Sequence, residues 1–375
     1  MIFLDNASTT KPDNKIIDFF VESQKNYLNP GAIYSESIKL SQKIENSRQN
    51  VVRRLGGDPF GTFIFTSTST EANNIILSSL VSNNKNEEYI FSSLEHPSVY
   101  NYAQDLVSKG RKVHFVNSTN DGKIDENHLY SLINNNTKFV SLIHVSNEVG
   151  TINNINEIAK KIKEINPKTL IHTDGVQALG KIKISLENID FYTISSHKIY
   201  GLKGIAGFYC KNLKLLKPFI LGGGQEFNIR SGTTNAPMIF VFEKTIEYAV
   251  MDQENHYNYC KKLNLHLRNL LNKIENITIN SGLDSVPNIL SISVLGLNAE
   301  TILNALSAKE IYVGLGSACS SKKSGNRVLE AMNKTKQEIL GNIRLSFSKH
   351  TTVDEINTFF TNFKEIIENL RKKLK

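Results

Sequence analysis

The sequence predicts an α/β fold in which a mostly parallel sheet is covered by helices, followed by a smaller α+β region. Two observations carry this expectation. From about residue 60 to residue 210, short runs of β-branched and aromatic residues alternate with segments of helical periodicity. Beyond Asn235 the texture changes to long helical stretches with few strand patterns between them.

The strand-like runs are GTFIFTS, EYIFSSL, RKVHFVN, KFVSLIHV, TLIHTD, DFYTISS and GIAGFYC. Helices are expected from Glu71, from Val99 to Lys109, and over INEIAKKIKEI, which stops at Asn166-Pro167. A long helical stretch follows from Pro237 to about Ile274, broken near Gln253. Then come strands ITINS and ILSISVLG, a helix AETILNALSAKE, the loop GLGSACSSKKSG, a helix from Val328 to Met332 and a strand IRLSFS. The last helix opens at Thr352-Val353-Asp354-Glu355, the spacing of a capping box, and Ile356, Phe359, Phe360, Phe363, Ile367 and Leu370 recur at helical intervals. The expected division is a large domain over residues 14–250 and a small domain formed by residues 1–13 together with 251–375.

Of 375 residues, 40% are hydrophobic and 21% charged, an ordinary globular balance, and no apolar run reaches the roughly 18 residues a membrane span needs. The opening MIFLDNASTT has no basic stretch ahead of an apolar one, so a cytoplasmic address is expected and a membrane partner is not. Cys210, Cys260 and Cys319 offer neither a disulfide framework nor a CxxC pair, and no metal site is expected. The net charge of +8 raises nucleic acid as a partner, but the lysines are spread along helices such as IAKKIKEI, so direct nucleic-acid binding is not expected.

In open α/β sheets ligands sit outside the carboxyl ends of the strands, so the residues after each strand matter most. Thr66-Ser67-Thr68-Ser69-Thr70-Glu71 leads straight into a helix. Such a hydroxyl-rich turn either binds a phosphate or simply caps the helix. Asp174 ends the run TLIHTD, with Gln177 one turn on, and a carboxylate at a buried strand end needs a partner. Ser195-Ser196-His197-Lys198 follows DFYTI and precedes the glycine-rich IYGLKG. Lys198 is either a solvated surface lysine or a desolvated amine able to condense with an aldehyde. Taken together, a phosphate cradle, an acid and a lysine on neighbouring strand ends meet the needs of pyridoxal phosphate. His96 and Asn147 also follow strands, as a ring-stacking histidine and a hydrogen-bond donor or as structural residues. Arg344, on the strand IRLSFS, is either a surface arginine or a carboxylate clamp. Cys210 and Cys260 fall on packing positions, whereas Cys319 sits among glycines, serines and lysines with nothing to pack against.

Nine segments, LDNASTT, FTSTSTEANN, EHPSV, HVSNEVGT, HTDGVQALGK, SSHKIYGLKG, GGGQEFNIRSGTTNAP, GSACSS and IRLSFS, resemble in order the motif series of the cysteine desulfurases. These are pyridoxal-phosphate enzymes of the class V aminotransferase group, and the resemblance covers essentially the whole chain. It implies the PLP-dependent transferase fold type I, with a seven-stranded large domain, a small domain and a homodimer whose sites lie at the interface. Lys198 would bind the cofactor's aldehyde carbon and move the substrate Cα proton, Asp174 would pair with the pyridine nitrogen, and His96 would stack on the ring. Gln177 and Asn147 would address the ring oxygen and the substrate. Ser69, Thr70, Ser195 and His197 would hold the phosphate, joined by Thr233 of the partner subunit. Arg344 would grip the carboxylate of L-cysteine, and Cys319 would take its sulfur as a persulfide, releasing alanine. The sulfur acceptor would be a protein, an iron–sulfur scaffold or a tRNA-thiolation enzyme. The chain departs from the family pattern at Tyr34, Thr68-Ser69, Ser146 and Phe227-Asn228, none of which removes a catalytic group. A selenocysteine lyase or an aminotransferase is the alternative on the same fold, although an aminotransferase needs no loop thiol; a non-enzymatic binding protein is the alternative of another class.

Overall fold

In the computed structural model, which describes residues 1–316 and 326–374, the strand runs assemble into two separate sheets. The chain enters through β1 (Ile2–Leu4), α1 (Asn14–Ser23) and α2 (Ser35–Arg54). It then alternates through β2 (Thr62–Thr66), α3 (Ser69–Leu80), β3 (Glu88–Ser92), α4 (Pro97–Ser108), β4 (Lys112–Val116), α5 (Glu126–Leu132), β5 (Thr137–Ile143), α6 (Ile155–Ile165), β6 (Leu170–Asp174), β7 (Phe191–Ser195) and β8 (Ala206–Cys210). These strands form a seven-stranded sheet in the order β2-β8-β7-β6-β5-β3-β4, and only β8 runs against the rest. Side-chain alternation sends Phe63 and Phe65 into a core under α2 and α6, while Ile64 between them packs with Tyr89, Phe91 and Phe139 beneath α3 and α4. Both faces are buried, which is why these strands read as continuous apolar runs.

The remaining elements are α7 (Ala236–Met251), α8 (Gln253–Leu271), β9 (Ile277–Ile279), β10 (Ile289–Val294), α9 (Ala299–Ser307), β11 (Ile311–Leu315), α10 (Arg327–Ala331), α11 (Lys336–Leu340), β12 (Asn342–Ser346) and α12 (Val353–Leu374). Here β1 returns from the N-terminus to pair with β11, giving a five-stranded sheet in the order β1-β11-β12-β10-β9. Its core gathers Cys260, Leu263 and Leu267 of α8 with Ile356, Phe359 and Phe363 of α12. The expected break in the long helix falls at Asp252, and α8 stops at Leu271, three residues before Ile274, where the chain tightens into turns. The capping box of α12 is present: Thr352 N–H donates to Glu355 Oε2 at 2.8 Å, and Glu355 N–H donates to Thr352 Oγ1 at 3.2 Å. Helices α1, α2, α5 and α11 escaped the sequence reading. In α2 the reason is plain: its buried face mixes Ser37, Ser47 and Arg48 with Leu40, Ile44 and Val51, so the apolar stripe is interrupted.

Arg48 is the most consequential of those interruptions. Its guanidinium pairs with Glu226 at 2.7 Å, donates to the Phe63 carbonyl, and lies 4.9 Å from the ring centroids of both Phe65 and Phe227. Glu226 in turn accepts the Phe65 N–H at 2.9 Å. This fastens the loop carrying Glu226, Phe227 and Asn228, three successive residues at φ 47°, 58° and 65°, to the edge strand β2. Because Glu226 is left buried when its partner goes, Arg48→Leu should cost about 3–5 kcal/mol of stability in a denaturant titration.

Three histidines are buried and neutral. His144 bonds the Tyr192 hydroxyl at 2.7 Å, His172 the Ser141 hydroxyl at 2.8 Å and His256 the Tyr200 hydroxyl at 3.0 Å. Burial pushes each of them down to about 4. The unfolded chain takes up these protons near pH 6.5, whereas the folded chain does not. Their contribution is therefore complete above pH 6.5 and lost as pH falls toward 4, by up to about 1.4 kcal/mol per histidine per pH unit. Urea midpoints measured across that window should fall steadily.

Candidate active site

The carboxyl ends of β5, β6 and β7 open into a cavity of about 260 Å³ that also meets the start of α3 and the start of α4. Parallel pairing places Asp174 level with Thr193, so a single tight turn, Ser196–Lys198, brings Lys198 beside the end of β6. Gly175 makes the exit from β6 possible, since a Cβ there would overlap the Tyr192 ring. Ser69, Thr70, His96, Asn147, Asp174, Gln177, His197 and Lys198 all border this one cavity.

Asp174 is buried, yet only part of its acceptor capacity is used. Oδ1 accepts the Val176 N–H at 3.1 Å and Oδ2 accepts Asn73 Nδ2 at 3.1 Å. Asn73 also reaches Ser98 Oγ at 2.9 Å, and that hydroxyl lies 2.9 Å from His96 Nδ1. His96 is the N-cap of α4, its Nδ1 accepting the Ser98 N–H at 3.2 Å, which leaves Nε2 as the protonated nitrogen. Burial, reinforced by Lys198, holds the ring below its ordinary proton affinity despite Asp174. The next residue inward, Glu95, is fully buried; burial and Asp174 hold its carboxyl well above the usual range, so it is neutral.

Lys198 Nζ donates to the carbonyls of Ala7 at 2.7 Å and Ser8 at 2.6 Å. Burial and the Arg344 charge lower it to about 8, against the pull of Asp5, Asp174 and Glu148. Gln177 donates to the Ala7 carbonyl at 2.8 Å and accepts from Lys181 Nζ at 2.6 Å. His197 Nδ1 lies 3.2 Å from Thr9 Oγ1, and burial followed by Lys198 lowers it to about 4. At the start of α3, Thr68 caps the helix by accepting the Glu71 N–H at 3.1 Å. The capping and phosphate readings of this turn are thus compatible, because the Ser69 and Thr70 amides and hydroxyls remain available.

Three expected residues among those described do not border the cavity. Ser195 closes β7 and is buried behind the wall. Arg344 lies one residue out: its Nη1 donates to the Asn147 carbonyl at 2.9 Å, its Nη2 to Asp5 Oδ1 at 2.9 Å, and its buried Nε has no acceptor among the described residues. Thr233 lines a separate pocket of about 250 Å³ with Ser67, Arg230 and Asn235. Cys319 lies outside the described residues. Conversely Asn73, Ser98, Asp5, Ala7 and Lys181 touch the site without having been singled out. Each lies inside a segment that carries the family resemblance, LDNASTT, FTSTSTEANN, EHPSV or HTDGVQALGK, but only the topology brings those segments together at the cavity.

The Aminotransferase class-V family profile matches residues 2–359. The chain belongs to the class-V aminotransferase family. It is 32% identical to the cysteine desulfurase of Nostoc sp. over 378 aligned positions, covering 99% of this chain and 94% of that protein. The structure of a NifS-like protein superimposes with a TM-score of 0.90 at 32% identity, over 98% of this chain and 99% of that one. The structure of SspA in complex with cysteine matches with a TM-score of 0.78 at 25% identity, over 94% of this chain and 100% of that one. The architecture is that of the fold-type-I pyridoxal-phosphate enzymes, and the family's cofactor is pyridoxal phosphate.

The residues present fit that group. The cavity offers a helix N-terminus with uncommitted donors for a phosphate, a buried carboxylate with spare acceptor sites, and an amine already poised near neutrality. A lysine held this way should differ from a solvated one in free solution behaviour. In cofactor-free protein, reductive trapping of Lys198 by a small aldehyde, followed by peptide mapping, should reach half its maximal rate near pH 8. A half-maximum near the ordinary lysine value of about 10.4 would contradict the buried geometry.

Proposed function

We propose that the chain is a cytoplasmic, homodimeric cysteine desulfurase that converts L-cysteine to L-alanine and passes the sulfur, through a persulfide on Cys319, to an acceptor protein in iron–sulfur cluster assembly or tRNA thiolation. The large domain would span residues 14–250, with the small domain built from 1–13 and 251–375. No helix among the described residues is long and apolar enough to cross a membrane, in keeping with that setting.

One observation supports the thiol's role beyond family membership. Gly316 and Asn326, on either side of the segment that contains Cys319, meet: a Cβ on Gly316 would overlap Asn326 Nδ2. Asn326 Nδ2 lies 3.1 Å from Asn342 Oδ1 and 3.4 Å from Glu148 Oε2, beside Arg344. Gly314 is the register partner of Arg344. The two described ends of that segment therefore stand together beside Arg344.

Bound pyridoxal phosphate supplies the sink for electrons released at the substrate's Cα. Lys198, able to exist as a free amine near pH 8, takes the Cα proton and returns one. Asp174 holds a proton at the ring nitrogen, and neutral His96 covers the ring and excludes water. Ser69, Thr70 and His197 would hold the phosphate, with Ser195 left behind the cavity wall; His197, being neutral, contributes one N–H and no charge. The separate pocket around Thr233 suits a donor delivered to a second copy, so Thr233 of the partner subunit would complete the cradle. Gln177 and Asn147 address the ring oxygen and substrate, and Arg344 takes the substrate carboxylate, which offers its idle Nε an acceptor. The Cys319 thiolate then attacks the substrate sulfur. An S–S bond forms, the C–S bond breaks with its electron pair going to carbon, and protonation of that carbon completes alanine.

The test is incubation with L-cysteine, scoring alanine and the mass of one added sulfur atom on the peptide containing Cys319. Cys319→Ser should keep the yellow cofactor band while alanine formation falls by about 10³-fold or more. Sulfide release at the wild-type rate from that variant would overturn the persulfide route.

A further inference from the structure

Lys181 is a buried lysine for which neither the fold nor the chemistry above has a use. It follows Gln177 by one helical turn and is 5% exposed, and its ammonium's one hydrogen bond among the described residues is to the neutral Gln177 Oε1, at 2.6 Å. No described carboxylate forms an ion pair with it. A core position filled this way is more costly than one filled by a leucine or methionine. What the position does have is a place directly behind the site: Lys181 and Lys198 border the same enclosed space of about 20 Å³, enough for one water.

We propose that Lys181 is a positioning residue of the cofactor cavity, whose ammonium pins the Gln177 amide with its NH₂ group toward Ala7 and the cavity.

The pinning follows from donor chemistry. A glutamine amide can turn over, presenting either its oxygen or its NH₂ group, but an ammonium has only donors, so Oε1 must face Lys181. The NH₂ group is then committed to the other side, where it donates to the Ala7 carbonyl at 2.8 Å. That same carbonyl accepts from Lys198 Nζ at 2.7 Å, so the orientation of Gln177 and the resting place of Lys198 are set at one atom. Given the cofactor reading above, on which this role rests, the pinned amide can only donate to a ring oxygen.

The pin needs that ammonium. Facing Lys181 are Lys198 and His197 from the turn after β7, and His256 and Cys260 from α8. Asp13, Asp252 and Lys349 border the shared space from the other elements. Burial lowers Lys181 to about 7, with Lys198 pushing in the same direction and Cys260 against it. Lys181 is thus an ammonium below about pH 7, and it is there that the pin on Gln177 holds.

Two variants separate the effects. Lys181→Met removes the charge and the pin; Lys181→Gln removes the charge and keeps a donor for Gln177. In cofactor-free protein, aldehyde trapping at Lys198 should keep its half-maximum near pH 8 in both, since Lys181 is already largely neutral there. With pyridoxal phosphate added at about pH 6.5, affinity for the cofactor should fall about tenfold in Lys181→Met and stay near the wild-type value in Lys181→Gln. Wild-type affinity in Lys181→Met overturns the proposal, and so does a displaced trapping profile in Lys181→Gln, which would make the charge rather than the pin the agent. Loss of folding in both, seen by thermal unfolding, also overturns it, since it would assign Lys181 to structure alone. If neither wild type nor variants take up pyridoxal phosphate, the cofactor reading fails, and the Gln177 side-chain NH₂ resonance in cofactor-free protein, shifted in Lys181→Met and kept in Lys181→Gln, still decides the role of Lys181.

Discussion

The site depends on a short N-terminal strap, Asn6 to Thr10, that ties the five-stranded sheet to the seven-stranded one. On one side Asn6 Nδ2 donates to the Ser346 carbonyl at 2.9 Å and Ala7 N–H to Ser346 Oγ at 2.8 Å, both at the end of β12. On the other side Thr10 N–H donates to the His197 carbonyl at 2.9 Å, and its hydroxyl accepts the Tyr200 N–H at 2.8 Å. Between these anchors the Ala7 and Ser8 carbonyls receive Lys198. Each hydrogen bond is worth about 1 kcal/mol net, but together they fix where Arg344, carried by one sheet, stands relative to Lys198, carried by the other. A substrate gripped at its carboxylate and reacting at its Cα needs that spacing held.

Burial then sorts the titratable groups around the strap by what each can afford in a low dielectric. The histidines and Glu95 give up their charges, Lys198 and Lys181 come close to doing so, and Arg344 keeps its charge between Asp5 at 2.9 Å and Glu148 at 3.6 Å. The outcome is a cavity with donors at one end, an acid at the other and an amine near neutrality between them. That is the combination acid–base chemistry at neutral pH requires.

The places where the sequence departs from its family are absorbed by specific contacts. Thr68 sits at φ −146°, an extended conformation that needs no glycine, and its hydroxyl caps α3. Ser146 Oγ lies within 3.3 Å of the Glu148 N–H and 3.4 Å of the Val149 N–H, closing its own turn. Phe227, in a left-handed conformation and still 41% exposed, lays its ring 4.9 Å from the Arg48 guanidinium. Tyr34 is half-exposed at the start of α2 and caps nothing; no contact in the structure explains it.

By itself the sequence determined the alternation of strands and helices from β2 to β8, the break at Asp252, the capping box of α12, and the strand-end identities of Lys198, Asp174, His96 and Asn147. Those signals are local: a strand end, a cap or a hydrophobic period is written in adjacent residues. Helix α2 was illegible because its buried face carries Arg48 and two serines, whose partners are remote in sequence. Only the tertiary structure could bring Asn73, Ser98, the Ala7 carbonyl and Lys181 to the cavity. Asn73, Ser98 and the Ala7 carbonyl act through hydrogen bonds between segments far apart along the chain, which no local pattern records, whereas Lys181 bonds Gln177 four residues back and reaches the cavity only because the turn after β6 is folded against it.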